Sequence, residues 1–227
     1  MTILYIDTEH DLIVDDPVSG PAHRALIDRA RQRIEAASEL PCLVTRFADV
    51  MPETTERTRA TAIVIGGCTT DWAEYDFAEL TGVLETIRAA PVPILGICAG
   101  HQLIGHVHGA AWGPLGSLAA DETDSDPHMA PRQRKEQGFL PVHLDLRCPL
   151  FRQLPPIGTF AQSHYWQLED VPDGFVARAS SPSSPIQAIE RRDRPVYGVQ
   201  FHPERHDDAN RDGERVLRTF FTLLITG

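Results

Sequence analysis

Lysine is almost missing from this 227-residue chain, with Lys135 standing alone among 21 basic residues. Schiff-base chemistry therefore has almost no candidate, and no phosphate-binding loop ending in Gly-Lys-Ser/Thr is present. Positive charge is scarce overall. The 21 basic residues face 32 acidic ones, and the net charge of −11 opposes binding to phosphate backbones and anionic lipid surfaces. Neither nucleic acid nor membrane is an expected partner. The four cysteines, Cys42, Cys68, Cys98 and Cys148, form no Cys-x-x-Cys pair, so neither a zinc site nor a disulfide framework is suggested. No window approaches the ~18 apolar residues of a membrane span, and the first residues lack a basic leader, which makes the expected location cytoplasmic. Hydrophobic residues make up 42% of the chain, enough for one sizeable core, so one domain over 1–227 is expected.

Short apolar runs alternate with amphipathic stretches along the first half. Ile3 to Ile6 reads as a buried strand opening into Asp7-Thr8-Glu9. A helix is predicted from Pro21 to about Leu40, with Leu26, Ala30 and Ile34 as its buried stripe. Strands follow at Cys42 to Phe47, Thr61 to Ile65 and Pro93 to Ile97, with helices marked by Phe77, Leu80, Leu84 and Ile87 and by His101 to Val107. This alternation predicts an α/β fold, a mostly parallel central sheet with helices on both faces. From Leu118 to Lys135 the chain reads as a surface loop, with Asp121, Glu122, Asp124 and Asp126 beside Arg132, Arg134 and Lys135. Strand-like runs return at Leu140 to Leu144, Phe175 to Ala179, Ile186 to Ile189 and Val196 to Phe201, and Phe220 to Leu224 closes the chain in a helix.

Gly96-Ile97-Cys98-Ala99-Gly100 sets a cysteine between a buried strand and a helix start. Glycines two positions to either side allow a sharp turn and close approach of a substrate, as in nucleophile elbows. The helix N-terminus is expected to favour thiolate, and such settings lower a cysteine pKa to roughly 3.5 to 7.5. Against this stands the plain reading of Cys98 as an inert core cysteine. The second segment, Val199-Gln200-Phe201-His202-Pro203-Glu204, tips the balance. Residues i and i+2 of an extended segment share a side, so His202 can serve as general base while Glu204 holds its second ring nitrogen.

Taken together, Gly-Ile-Cys-Ala-Gly-His-Gln at 96–102 and Gly-Val-Gln-Phe-His-Pro-Glu at 198–204 closely resemble the signatures of class I, triad-type glutamine amidotransferases, with their flavodoxin-like fold. The resemblance covers essentially the whole chain. It implies that Cys98 attacks the side-chain amide of L-glutamine, forms a thioester and releases ammonia, with His202 and Glu204 completing the triad. It further implies an oxyanion hole from the Gly67 and Ala99 N–H groups, worth roughly 3 to 4 kcal/mol per donor. Gly66, Gln102, Ser163, His164 and Tyr165 match the family's substrate-binding positions. No cofactor and no metal are implied, and ammonia would pass to a separate synthase or synthetase partner.

Two departures matter. Cys68 follows the glycines where the family commonly has proline, and is either structural or an oxidation-sensitive neighbour of Cys98. The stretch from Pro149 to Ile186 is most similar to glutaminase portions of GMP synthetases, but their Ser-His-x-Asp is here Ser163-His164-Tyr165-Trp166. That change leaves the ammonia acceptor open, and Trp166 serves either a partner surface or packing. A stand-alone γ-glutamyl amine or peptide hydrolase and a non-catalytic regulatory subunit remain alternatives. The 110–135 segment is read as a solvated loop rather than a lid or docking element. His101, His106 and His108 lack a carboxylate or thiolate at ligand spacing, so a metal site is not expected there.

Overall fold

The computed structural model describes residues 1–124 and 130–226. Along the chain come β1 (Thr2–Asp7), α1 (Asp11–Val14), α2 (Ser19–Ser38), β2 (Cys42–Arg46), α3 (Thr54–Arg57), β3 (Ala60–Ile65), α4 (Thr81–Ala89), β4 (Ile94–Ile97) and α5 (Ala99–Val107). They are followed by β5 (Trp112–Pro114), β6 (Glu136–Leu144), β7 (Ile157–His164), β8 (Trp166–Leu168), β9 (Phe175–Ser180), β10 (Ala188–Arg191), β11 (Val196–Val199) and α6 (Asp212–Thr226). One nine-stranded sheet has the order β2-β1-β3-β4-β11-β10-β9-β6-β7, and β5 pairs with β8 in a separate ribbon.

The sheet is mixed. From β2 through β11 neighbours run parallel, as the strand–helix alternation predicts. From β11 through β7 they run antiparallel, joined by the turn-rich second half of the chain. Alternate residues of β1 point to opposite faces, which divides the apolar side chains into two layers. Ile3 and Tyr5 pack with Ala30 and Ile34 of α2 and with Val216, Leu217 and Phe220 of α6. Leu4 and Ile6 pack with Val83, Leu84 and Ile87 of α4 and with Leu103 and Ile104 of α5. Among the described residues no helix is long and apolar enough to cross a membrane.

Several expected boundaries shift. Helix α2 begins at Ser19, with Pro21 inside its first turn, where a missing N–H breaks no helical bond. Its buried stripe runs through Ile27, Ala30 and Ile34, while Leu26 is 36% exposed. Phe77 precedes α4 and instead meets Trp72 and Trp112 edge-on or tilted. Strand β7 has no counterpart in the sequence reading, and β6 starts four residues before Leu140 at the buried Glu136. The two described ends of the 118–135 segment meet: Ser117 bridges Gln133, and the Arg132 guanidinium gathers the carbonyls of Leu118, Ala119 and Glu122. Lys135 Nζ, buried, lies 2.5 Å from Asp124 Oδ1. Asp126 lies outside the described residues, as does the side chain of Leu224.

The core reaches the end of β11 through Phe201, which stacks on Phe160 of β7 at 4.0 Å and 19°. Truncating a buried phenylalanine removes transfer energy and leaves a cavity, about 3–5 kcal/mol together. Phe201→Ala is expected to lower stability by that amount in urea titration, and Phe201→Leu by much less. Equal, small losses in both would show that this ring does not anchor the segment that follows it.

Candidate active site

Parallel pairing of β4 with β11 sets two loops side by side: Ile97 lies opposite Val199, and the Cys98 N–H donates to the Val199 carbonyl at 2.8 Å. Immediately after, the chain turns into α5. The turn places Cys98 at φ 52°, ψ −103°, a backbone conformation that a side chain rarely adopts and that costs on the order of 1–3 kcal/mol. It is possible because a Cβ on Gly96 would lie 2.5 Å from the Gly100 carbonyl oxygen, so only glycine lets strand and helix approach this closely. The elbow expected from the sequence is present.

Its electrostatics differ from expectation. Burial pushes the Cys98 thiol up to about 12, and the pull of Arg205 toward thiolate does not offset it. Helix N-terminal charge, worth tenths of a kcal/mol to about 2, loses here to desolvation. The thiol at rest is protonated. Gln200 Nε2 lies 3.6 Å from Sγ.

His202 is placed from two sides. Its N–H donates to the Ala161 carbonyl of β7 at 2.8 Å, and its Nδ1 lies 2.7 Å from Glu204 Oε1. Burial holds the His202 imidazole below its usual value, with Arg205 acting in the same direction, while Glu204 favours the cation. The Glu204 carboxyl is lowered: the His202 contact and bond outweigh the opposing effect of burial. His202 Nε2 is buried and has no hydrogen-bond partner among the described residues. Gly67 lies between imidazole and thiol: a Cβ there would be 2.9 Å from His202 Cε1, 3.2 Å from Cys98 Cβ and 3.7 Å from Sγ.

The loop carrying Gly67 is fastened to the end of β1. Glu9, 1% exposed, accepts from the Thr69 N–H and hydroxyl at 2.7 Å each, and from the Thr70 N–H at 3.2 Å and hydroxyl at 2.8 Å. The Gly66 carbonyl accepts from the Gly100 N–H at 3.0 Å and the Thr8 hydroxyl at 3.1 Å. That fixes the Gly66–Gly67 peptide plane with its N–H on the opposite edge. Cys68, beside it, donates to the Thr70 carbonyl at 3.5 Å, and burial raises its thiol well above the ordinary value.

Cys98, Ala99, Cys68, Gln102, Ser163, His164, Tyr165 and Trp166 line one narrow pocket of about 20 Å³. Such a space suits a water rather than an amino acid. Gln102 accepts from Trp72 Nε1 at 2.8 Å and donates to the Trp166 carbonyl at 3.0 Å and Gln200 Oε1 at 3.1 Å. His164 Nε2 faces Glu136 Oε2 and its Nδ1 faces the Trp166 carbonyl, both at 2.9 Å. Across the mouth, Asp71 accepts from the Tyr165 hydroxyl at 2.7 Å and Trp166 Nε1 at 3.3 Å. A carboxylate thus stands beside the position where Trp166 replaces the expected acid, supplied by the opposite loop. His101, His106 and His108 diverge: His101 is buried and held neutral, its pKa lowered to about 3 by burial. His106 packs on Trp112 at 4.9 Å, and His108 Nδ1 meets the Ile104 carbonyl at 2.9 Å.

The sequence reading missed Glu9, Asp71, Trp72, Glu136 and Gln200. Two of them left a signal there: Glu9 as an acid at the C-terminal end of a buried strand, and Gln200 inside the 198–204 motif.

Three comparisons bear on this geometry. Residues 26–224 match the family model described as Glutamine amidotransferase class-I. The chain is 34% identical over 142 residues to the glutamine-hydrolyzing GMP synthase subunit of Methanothermobacter thermautotrophicus, covering 62% of this chain and 65% of that one. It is 34% identical over 122 residues to the glutamine-hydrolyzing GMP synthase of Acetivibrio thermocellus, covering 53% of this chain and 20% of that one. The aligned stretch therefore falls just short of two thirds of the first relative and spans a fifth of the second. Among solved structures, a Thermoplasma acidophilum protein provisionally described as a GMP synthase subunit superposes with TM-score 0.72 at 22% identity, over 100% of this chain and 95% of that one. A glutamine amidotransferase from Thermotoga maritima gives TM-score 0.67 at 16% identity, over 100% and 98%. These two show a shared fold.

Gly67→Ala would push a methyl group against both His202 and Cys98. Misplacing reacting groups by about 1 Å costs roughly 10²-fold. The alkylation rate of Cys98 by iodoacetamide is expected to change by that order, with the melting temperature little altered. An unchanged rate would show that this loop does not set the spacing between thiol and imidazole.

Proposed function

The chain belongs to the class-I glutamine amidotransferases, and from that premise we propose that it hydrolyses L-glutamine through a Cys98 thioester and passes the ammonia to a separate synthetase. The observation that carries this reading is the His202–Glu204 contact at 2.7 Å beside an imidazole Nε2 left without a partner among the described residues, with Gly67 against both that ring and the Cys98 side chain. The neutral His202 takes the thiol proton as sulfur attacks the amide carbon. Glu204 steadies the imidazolium that forms. The same imidazolium then protonates the departing nitrogen, ammonia leaves, and His202 activates water against the thioester.

Charge developing on the amide oxygen is met by the N–H groups of Gly67 and Ala99, the former held by the pinned Gly66 carbonyl. Gln102 and the 163–165 backbone form the wall against which the substrate's amino-acid end rests. The names of the curated relatives support a synthetase partner of the kind that makes GMP. Asp121 and Glu122 are exposed, as a solvated loop would have them, while the Asp124 side chain, 10% exposed, lies against Lys135.

The deciding experiment is glutamate release from L-glutamine by the purified chain, with γ-glutamyl amides as competing substrates and Cys98→Ala alongside. Release from glutamine that vanishes in Cys98→Ala is the expected result; preference for the amides would make the chain a γ-glutamyl hydrolase, and silence with every substrate, partner present, would make it a regulatory subunit. Glu204→Gln is expected to lower kcat by about 10³- to 10⁴-fold. Because the His202 pKa lies below the ordinary 6.5, the base is already neutral at pH 7, so kcat/KM should hold there and fall as pH drops beneath 6.5. A profile rising through pH 8 would assign the base to another group.

A further inference from the structure

A second cavity, about 230 Å³, lies behind the catalytic loops, between α2 and the Gly67–Thr69 and Glu204–Arg205 segments. It is roomier than the substrate pocket, and Gly67, Cys68 and Thr69 border it or lie beside both spaces, so a short stretch of backbone divides it from Cys98. The cavity collects Arg29, Arg33 and Arg205. In a chain of net charge −11 such a cluster needs a reason.

Two acids, Glu9 and Glu204, share that lining, one fewer than the arginines. Glu9 is filled by its bonds to Thr69 and Thr70, Glu204 is engaged by His202, and His23 is held by Asp7 at 3.0 Å. Arg33 donates to the carbonyls of Glu204 and His206, with the Asp207 carboxylate near enough to feel its charge. Arg205 Nε stands 3.6 Å from a Glu204 oxygen already bonded to His202. Arg29 engages no hydrogen-bond or ion-pair partner among the described residues. Leu26, Ile27 and Ala30 form the apolar part of the wall.

We propose that this cavity is an anion site for a phosphoryl group, held by Arg29, Arg33 and Arg205, and that its occupancy is felt by Cys98 across the shared Gly67–Thr69 wall. Guanidinium groups match phosphate oxygens in geometry and charge. The ligand's negative charge would stand against Arg205, the cation that most favours the Cys98 thiolate, and so should slow reaction at sulfur. The coupling, though not the binding, rests on Cys98 being the nucleophile.

The test is calorimetric titration with inorganic pyrophosphate and with ATP, at ionic strength held constant by chloride, on the wild type, Cys98→Ala, Arg29→Gln and Arg205→Gln. Arg29→Gln touches no internal contact and should fold normally. Expected are saturable binding to the wild type and Cys98→Ala, about tenfold or more weaker binding to each arginine variant, and slower iodoacetamide alkylation of wild-type Cys98 when the site is filled. ATP binding tighter than pyrophosphate would assign the phosphoryl group to a nucleotide, and equal or weaker ATP binding to a free anion. No saturable binding, or binding that both arginine variants keep, would overturn the site. Saturable binding that leaves the alkylation rate unchanged would overturn the coupling. Because Cys98→Ala is included, the binding result stands apart from whether the chain hydrolyses glutamine.

Discussion

The pairing of β4 with β11 is the constraint on which the candidate site depends. A parallel ladder fixes register residue by residue, and here it ends with Ile97 beside Val199 and a further bond from the Cys98 N–H to the Val199 carbonyl. Everything chemical follows within a few residues of those two strand ends. Cys98 turns off one, His202 and Glu204 leave the other, and the Ala161 carbonyl catches His202 from the antiparallel side. Backbone hydrogen bonds, not side-chain contacts, thus bring thiol and imidazole to the same place. A shift of one residue in that register would turn every side chain of β11 to the opposite face.

Two opposed tendencies meet at this junction. A helix start favours negative charge, and a buried, apolar surrounding disfavours charge of either sign. Burial prevails at both reacting groups, pushing the thiol up and the imidazole down, so the resting pair is neutral. In the proposed triad the one permanent charge is the Glu204 carboxylate, placed to meet an imidazole that turns cationic as the proton moves. Glu9 plays a different part. Its carboxylate is taken up in fastening the 69–70 loop to β1, standing in for the rigidity that a proline after Gly67 would have given.

The parallel half of the sheet was legible because its strands are short apolar runs broken by glycine and separated by helical periodicity. The candidate Cys98, His202 and Glu204 were legible because they follow the ends of two such apolar strands, in two short motifs. Strand β7 was not, since Ile157–His164 carries a glycine and polar residues on a largely buried strand, and no alternation marks it. Nor were partners that meet only in three dimensions. Glu136 reads as a solvated acid until His164, 28 positions later, is seen facing it in a buried network. Asp71 reads as a loop residue until Tyr165 arrives 94 positions on. The thiol's charge state was misjudged because the sequence displays the helix start and conceals the depth of burial.

The narrowness of the pocket at Cys98 bears on how long the enzyme lasts. A nucleophilic sulfur is also the atom most exposed to peroxide and to stray electrophiles, and thiolate is the form they attack. Here burial holds the thiol toward its protonated form, its residue is 4% exposed, and the space at its surface is about 20 Å³. With Cys98 as the proposed nucleophile, reagents larger than water would reach it only where that space widens for substrate, so damage would follow use more than age.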